Sequence, residues 1–228
     1  MFSSIQINRR APGLSAWKIL FWWTFAISVL WLLLRIFYRY KCYGKEHVPR
    51  TGPVLFISNH QSNFDPAIVG VLISDRPFKG IAKEELFNSK LLSAYMHGFG
   101  VISIKRGESD TTAIRSALSE LDSGRCVMMF PEGTRTQNGE VGKFQRGFWL
   151  LAKKSKATIL PIGIDGAFDA YPIGSKPKLR GNIKAVAGNP IQSEELLSMG
   201  EENGTVYVHS IIKKLMLQCR ENISQCSK

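Results

Sequence analysis

Residues 54–65, which read VLFISNHQSNFD, decide the fold and contain the first candidate site. The opening apolar run, residues 54–57, predicts a buried strand. Pro66 follows and opens a second apolar run, and proline is favoured at the first position of a helix. His60 and Asp65 are therefore expected in the turn between the carboxyl end of a strand and the start of a helix. In open α/β sheets this is where ligands bind.

The spacing of His60 and Asp65 suits proton transfer. A carboxylate can hold one imidazole nitrogen and leave the other free as a base, which is the arrangement that a hydroxyl nucleophile needs. The alternative is that Asp65 only caps the helix that Pro66 opens. This stretch alone leaves both interpretations open.

A second candidate stretch, FPEGTR at residues 130–135, also follows an apolar run that predicts a strand. Proline, glycine and threonine favour a tight turn with exposed backbone N–H groups. Arg135 adds a planar, permanently charged fork that suits phosphate. The alternative is an ordinary surface turn with a solvated arginine.

Together these stretches resemble the 1-acyl-sn-glycerol-3-phosphate acyltransferase family. The first family motif, Asn-His-x-x-x-x-Asp, corresponds to Asn59, His60 and Asp65, and the third, Phe-Pro-Glu-Gly-Thr-Arg, occurs unchanged at 130–135. The second is similar to GVISIKR at 100–106, and the fourth to ILPI at 159–162. A Lys-x-Glu-Leu segment begins at Lys83, and Thr136 stands where a serine is common. The similarity runs from about residue 40 to about residue 190.

The resemblance implies acyl transfer from a thioester donor, acyl-CoA or acyl carrier protein, to the sn-2 hydroxyl of lysophosphatidate, which gives phosphatidate in phospholipid biosynthesis. His60 would be the base and Asp65 its orienting partner. The expected phosphate-binding residues are Arg106, Arg135, Lys83, Glu132, Gly133 and Thr134. Those expected to shape the pocket or contact the acyl donor are Asn59, Pro131 and Pro161. No cofactor or metal is expected. Two alternatives remain: a related enzyme that uses glycerol 3-phosphate or another lysophospholipid as acceptor, and a non-catalytic basic membrane-surface protein.

The charge of the chain points to an anionic partner. The formal net charge is +12 and the pI is about 9.7, which favours nucleic acid or an anionic bilayer. The sequence has no helix-turn-helix, RNP or zinc-finger pattern, so nucleic acid is not expected. The four cysteines lack CxxC spacing, which argues against a disulfide framework or a zinc site.

The N-terminal segment favours the membrane. Residues 19–34 contain no charge, between Lys18 and Arg35, although a full span needs about 20 residues. Flanking aromatic and basic residues extend this run to 14–38. We therefore predict a membrane-embedded helix within a membrane-associated segment, residues 1–38, followed by an acyltransferase domain, residues 39–228. A buried core helix is the alternative. Basic residues are denser after the run than before it, which predicts a domain on the cytoplasmic face.

The rest of the chain alternates between predicted strands and helices. The strands are expected at 54–58, 78–82, 101–105, 125–130, 159–164 and 183–187. Helices are expected at 110–121, 144–154 and 206–223, with a surface loop at 167–182. This alternation predicts an α/β fold with a mixed, largely parallel sheet flanked by helices.

Overall fold

The computed structural model describes residues 12–13, 15, 23–83, 102–104 and 111–221. Within these residues, seven strands form one sheet. They are β1 (Lys41–Tyr43), β2 (Val54–Ser58), β3 (Phe78–Lys83), β4 (Ile102–Ile104), β5 (Cys126–Met129), β6 (Thr158–Asp165) and β7 (Lys184–Ala187). The helices are α1 (Ala26–Tyr38), α2 (Asp65–Leu72), α3 (Thr111–Asp122), α4 (Arg146–Lys154), α5 (Ala167–Ala170), α6 (Ser193–Ser198) and α7 (Glu201–Arg220).

The sheet is mixed and largely parallel, as predicted. Its strand order is β1-β7-β6-β2-β5-β3-β4. The five strands from β6 to β4 run parallel to one another. β7 is antiparallel to β6, and β1 is parallel to β7. The sheet therefore has a single change of direction, between β6 and β7.

Helices cover both faces of the sheet. Along β2, Phe56 packs into the cluster that contains α1 and α2, whereas Leu55 and Ile57 pack into the cluster that contains α3, α4, α6 and α7. Every residue of β2 is buried, which explains why its sequence is a continuous apolar run rather than an alternating one.

The carboxyl ends of β2, β5 and β6 lie at the same edge of the sheet because these strands are parallel neighbours. The loop of residues 59–64 leaves β2 at this edge, and the turn that begins at Phe130 leaves β5 there. Arg106, which was expected at the same edge after β4, lies outside the described residues.

Some elements differ from the prediction. β1 was not predicted because Lys41–Tyr43 is short and lacks an apolar run, and it forms by pairing with β7. Within the predicted loop 167–182, α5 forms a single helical turn, and α6 was also missed. α7 begins at Glu201, five residues before the predicted start, because its first turn carries acidic residues that favour a helix N-terminus without adding to the apolar pattern.

α1 has one buried and one exposed side. Ile27 and Leu34 are buried in the core beside α2. Its outer face, defined here as Val29, Leu32, Leu33, Ile36 and Phe37, is apolar and exposed. Across the described residues, no helix has the length and apolar character needed to cross a membrane. The predicted apolar run begins before residue 23, partly outside the described residues.

Candidate active site

His60 and Asp65 are in direct contact in the loop after β2. His60 Nδ1 lies 2.7 Å from Asp65 Oδ2. The same oxygen accepts the backbone N–H groups of Gln61 at 2.6 Å and Ser62 at 2.7 Å. A carboxylate in its ionised form only accepts hydrogen bonds, which makes Nδ1 the donor of this contact, and in the neutral imidazole Nε2 then keeps its lone pair. The Asp65 side chain is fully buried, whereas that of His60 is 19% exposed.

The structure does not favour a simple capping role for Asp65. Asp65 is itself the first residue of α2, and the N-cap, Phe64, makes no side-chain capping bond. The Asp65 carboxylate turns back toward the preceding loop, where it holds the imidazole and two peptide groups. The side chain therefore organises the loop around His60.

The turn after β5 holds His60 from the other side. The Phe130 ring stacks on the imidazole, with ring centroids 3.9 Å apart and planes inclined by 10°. The His60 backbone N–H donates to Glu132 Oε1 at 2.8 Å, and the His60 carbonyl accepts the Thr136 N–H at 2.8 Å. Two stretches that are about 70 residues apart in the sequence thus form one site.

Glu132 is engaged through both carboxylate oxygens. Oε1 accepts the His60 N–H, and Oε2 accepts the Gly142 N–H at 2.8 Å. Burial raises the pKa of Glu132, although the two N–H donors favour its charged form. Glu132 therefore connects the loop that contains His60 to Gly142, near the end of the loop that follows β5. The sequence predicts a further role for Glu132 in shaping the turn.

The rest of the turn consists of Gly133, Thr134 and Arg135. Gly133 has φ of +70°, a conformation that favours glycine, and its N–H bonds the Phe130 carbonyl at 3.1 Å. Thr134 is exposed. Arg135 is half-buried and forms no hydrogen bond or ion pair within the described part of the chain. Pro131 is buried, and its carbonyl accepts the Gln145 N–H at 2.7 Å.

Asn59 and Pro161 fix β6 beside the site. The Asn59 amide both donates to the Ile164 carbonyl at 2.9 Å and accepts the Ile164 N–H at 2.8 Å. Pro161 lies within β6 opposite Ile57, and its carbonyl accepts the Gly188 N–H at 2.9 Å. Lys83, which was also predicted to bind phosphate, is the final residue of β3.

Gln61 is a structural member of the site that the sequence did not reveal. Its buried side chain accepts the Ala167 and Phe168 N–H groups at 3.1 and 3.2 Å and donates to the Gly139 carbonyl at 3.1 Å. These partners are 78 to 107 residues away, so no local pattern signals them. Its position between His60 and Asp65 in a predicted loop was the single available hint.

Fold and site together define an α/β protein with a carboxylate-held histidine at the carboxyl edge of its sheet, an arrangement that suits taking a proton from a hydroxyl group. Among the described residues, no group of His, Cys, Asp and Glu could hold a metal ion. The chain belongs to the Acyltransferase family, whose model matches residues 39–165, more than half of its length.

Curated relatives carry a consistent name. A chloroplastic 1-acyl-sn-glycerol-3-phosphate acyltransferase from Arabidopsis thaliana is 31% identical over 175 residues, which is 74% of this chain and 49% of the relative. A Bacillus subtilis protein of the same enzyme name is 25% identical over 171 residues, 75% of this chain and 83% of the relative. The chain spans about half the length of the plant relative.

A solved structure has the same fold. The crystal structure of the 1-acyl-sn-glycerophosphate acyltransferase PlsC from Thermotoga maritima superposes with a TM-score of 0.73. The match covers 91% of this chain and 80% of the other at 22% sequence identity. At this identity the likeness extends to the architecture of the sheet and its helices.

Proposed function

We propose that this protein transfers a fatty acyl group from a thioester donor to the sn-2 hydroxyl of 1-acyl-sn-glycerol 3-phosphate, which gives phosphatidate. One observation carries the proposal: the 2.7 Å contact between His60 Nδ1 and Asp65 Oδ2, with Phe130 stacked on the same imidazole. The names of the curated relatives support this choice of acceptor.

His60 acts as the general base. Its Nε2 takes the proton of the acceptor hydroxyl as the oxygen attacks the thioester carbonyl. When the tetrahedral intermediate collapses, the carbon–sulfur bond breaks, and the imidazolium returns its proton to the departing thiolate. A positioned base of this kind typically contributes about 10²–10⁴-fold in rate. The chemistry needs neither a covalent acyl-enzyme nor a cofactor.

Asp65 and Phe130 stabilise the imidazolium that forms during transfer. The Asp65 carboxylate lies 2.7 Å from Nδ1 and keeps the imidazole in one tautomer. The face of the Phe130 ring carries partial negative charge, which attracts a cation stacked on it. Glu132 contributes by holding the His60 backbone through its N–H.

Arg135 is the proposed anchor for the acceptor phosphate. Arg135 precedes Thr136, whose N–H donates to the His60 carbonyl. The proposed phosphate-binding residue and the proposed base are therefore held close together by the backbone. Arg106 and Lys83 complete the proposed cationic set. The Gly133 N–H is already bonded within the turn, so the N–H groups of its neighbours, such as Thr134, are the candidates to bind phosphate or the developing oxyanion.

We also propose that the protein works at a membrane, with residues 1–38 as the membrane-associated segment and residues 39–228 as the acyltransferase domain on the cytoplasmic face. The exposed apolar outer face of α1 supports lipid contact. The excess of basic residues after the apolar run supports the orientation. A helix that lies in one leaflet needs only one apolar face.

The test is thiol release from acyl-CoA and from acyl carrier protein, measured with purified full-length protein. The acceptor panel contains lysophosphatidate, glycerol 3-phosphate and lysophosphatidylcholine. We expect turnover with lysophosphatidate, and a loss of at least about 10²-fold in His60→Ala. Preference for glycerol 3-phosphate would instead support the alternative acceptor. Near wild-type turnover in a folded His60→Ala variant would contradict the proposed chemistry.

A further inference from the structure

The loop between α5 and β7 presents an unusual surface. Residues 171–183, named here the cationic loop, carry Lys176, Lys178 and Arg180, all exposed, and no acidic residue. Leu179 lies between two of these cations and is 80% exposed, more than any other large apolar side chain in the described part of the chain. A single exposed leucine is common on protein surfaces, so its significance here depends on the cations beside it and on what the loop contacts.

The cationic loop is attached to the end of α1. The Gly181 N–H donates to the Phe37 carbonyl at 3.2 Å, and the Ile183 N–H donates to the Tyr38 carbonyl at 3.0 Å. The Tyr38 hydroxyl donates to the Lys178 carbonyl at 2.8 Å. The loop backbone on both sides of Leu179 is therefore joined to the C-terminal end of α1, where the outer face of that helix ends.

The charged residues within both segments have one sign, although exposed Asp169 and Glu46 lie just outside them. Arg35, Arg39 and Lys41 are exposed at the end of α1, and no acidic residue occurs between residues 23 and 45. With the three cations of the loop, these residues border an apolar surface with positive charge. This combination complements a bilayer that contains anionic lipid, where apolar side chains enter the interface and cations bind phosphate groups.

The cationic loop is also connected to the proposed active site. The Ser62 hydroxyl donates to the carbonyl of Tyr171, the first residue of the loop, at 3.0 Å. The Phe64 ring contacts the rings of Tyr171 and Tyr38, with centroid distances of 5.1 and 5.3 Å. A membrane surface that binds the cationic loop would therefore have a fixed position relative to His60.

We infer that the cationic loop is a second lipid-binding element, which inserts Leu179 into an anionic bilayer beside the outer face of α1. This inference rests on the proposed membrane function. The two elements attach the protein to the bilayer at two points. The carboxyl edge of the sheet therefore keeps one orientation toward the membrane, which contains the acceptor lipid. An acidic protein is the competing partner for such a loop. The continuity with the apolar face of α1 favours the bilayer.

The experiment compares two triple variants that change net charge equally. K176Q/K178Q/R180Q neutralises the loop, and K153Q/K154Q/K156Q neutralises exposed lysines near the beginning of β6, at the opposite edge of the sheet. Binding is measured by sedimentation with vesicles of phosphatidylcholine alone and of equal parts phosphatidylcholine and phosphatidylglycerol. Each lost contact with an anionic headgroup should weaken binding about fivefold, so we expect about a hundredfold loss for the loop triple on anionic vesicles.

Leu179→Ser tests the apolar contact. We expect about tenfold weaker binding to anionic vesicles, because the leucine no longer leaves water on docking. Leu150→Ser, at an exposed leucine of α4, is the matched control and should bind as the wild type does. All four variants should keep wild-type turnover with substrates dispersed in detergent micelles, where no bilayer has to be bound.

Three outcomes would overturn the inference. Equal losses in the two triple variants would mean that overall charge alone binds the vesicles. Unchanged vesicle binding with a raised KM for acyl carrier protein would mean that the loop binds an acidic protein. Unchanged vesicle binding with lost micellar turnover would assign the loop to the active site.

Wild-type protein that binds vesicles but transfers no acyl group would overturn the proposed function and leave the lipid-binding surface supported.

Discussion

At the scale of single residues, Asp65 has the largest number of roles in the site. One of its oxygens holds the imidazole and two backbone N–H groups. In Asp65→Asn, the amide cannot supply the charge, and its NH2 group can donate to Nδ1 where the carboxylate only accepts. The imidazole can then adopt the other tautomer, in which Nε2 carries the proton. We expect kcat to fall by about 10²–10⁴-fold with little change in the KM for either substrate. A wild-type kcat in this variant would contradict the role of Asp65.

The Phe130 ring is expected to act on the charged form of His60. Phe130→Leu keeps an apolar side chain but removes the ring face that stacks on the imidazole at 3.9 Å. We expect kcat to fall by roughly 5–30-fold, equivalent to about 1–2 kcal/mol. Phe144→Leu is the control, because this buried ring packs in the other core cluster. It should lose comparable thermal stability while kcat stays close to the wild-type value.

The sequence predicts single residues of the site unevenly. His60, Asp65 and the 130–135 turn belong to motifs, and the structure brings them together. The links made by Gln61 and Thr136 were not predicted, because a backbone carbonyl or N–H is the same chemical group in every residue. The hydrogen-bond partner of such a backbone group depends on how distant strands align in the folded sheet.

At the scale of elements, β6 and α7 approach one another unusually closely. A Cβ built on Gly163 would lie 2.5 Å from the backbone of Leu215 and Met216. In Gly163→Ala the helix must shift, and overpacking of this kind costs about 1–3 kcal/mol. Gly80→Ala, in β3, is the matched control because nothing lies within 4 Å of its Cβ position. Denaturant unfolding should show the loss in the first variant alone.

The ion pairs of Glu120, which link α3 to Lys79 in β3 and to Arg125 just before β5, give the fold a dependence on pH. Burial alone would raise the pKa of Glu120, but hydrogen bonds from Arg125 and Lys79 outweigh it and lower this pKa. The stabilisation is therefore complete above the pKa that glutamate has in the unfolded chain, and it is lost as the pH falls through the lowered value. We expect Glu120→Gln to be less stable than the wild type at neutral pH by about 1–3 kcal/mol.

The same difference should shrink in acid, where Glu120 is protonated in both states of the wild-type protein. Glu195→Gln, at an exposed glutamate of α6, is the control and should follow the wild type at every pH. A stability difference for Glu120→Gln that persists unchanged into acid would assign the effect to packing rather than to charge.

The elements predicted best are those whose own sequence contains the apolar run that becomes buried in the core. β2, β5 and β6 are fully or almost fully buried, and each was predicted from an apolar run. β1 was missed because Lys41–Tyr43 has no such run and depends on β7 for its hydrogen bonds. α6 was missed because it is only six residues long and buries little of its surface.

At the scale of the whole molecule, α1 is both part of the core and a candidate lipid contact. Ile27 and Leu34 are buried against the remainder of the chain, whereas Leu32 and Ile36 face outward. Removal of residues 1–38 should therefore expose the core and cause aggregation. The double variant Leu32→Ser/Ile36→Ser should stay folded and bind vesicles more weakly, because only surface side chains change. Circular dichroism and vesicle sedimentation measure the two effects.

High salt provides the complementary measurement. Charge attraction to lipid is screened by salt, whereas burial of apolar side chains is not. Full-length protein should therefore remain with membranes after a high-salt wash. Complete release by salt alone would mean that the outer face of α1 does not enter the bilayer.

The pairing of β1 with β7 has a consequence for how the protein is made. β1 follows α1 almost directly, yet Lys41 pairs with Lys184 across most of the sequence. The ribosome therefore delivers α1 long before the strand that completes its side of the sheet, and such distant pairings form late. We expect the nascent N-terminal segment to meet lipid while β1 is still unpaired. Ribosome-bound chains stalled before residue 184 should then remain open to protease around β1, and chains released at full length should resist it.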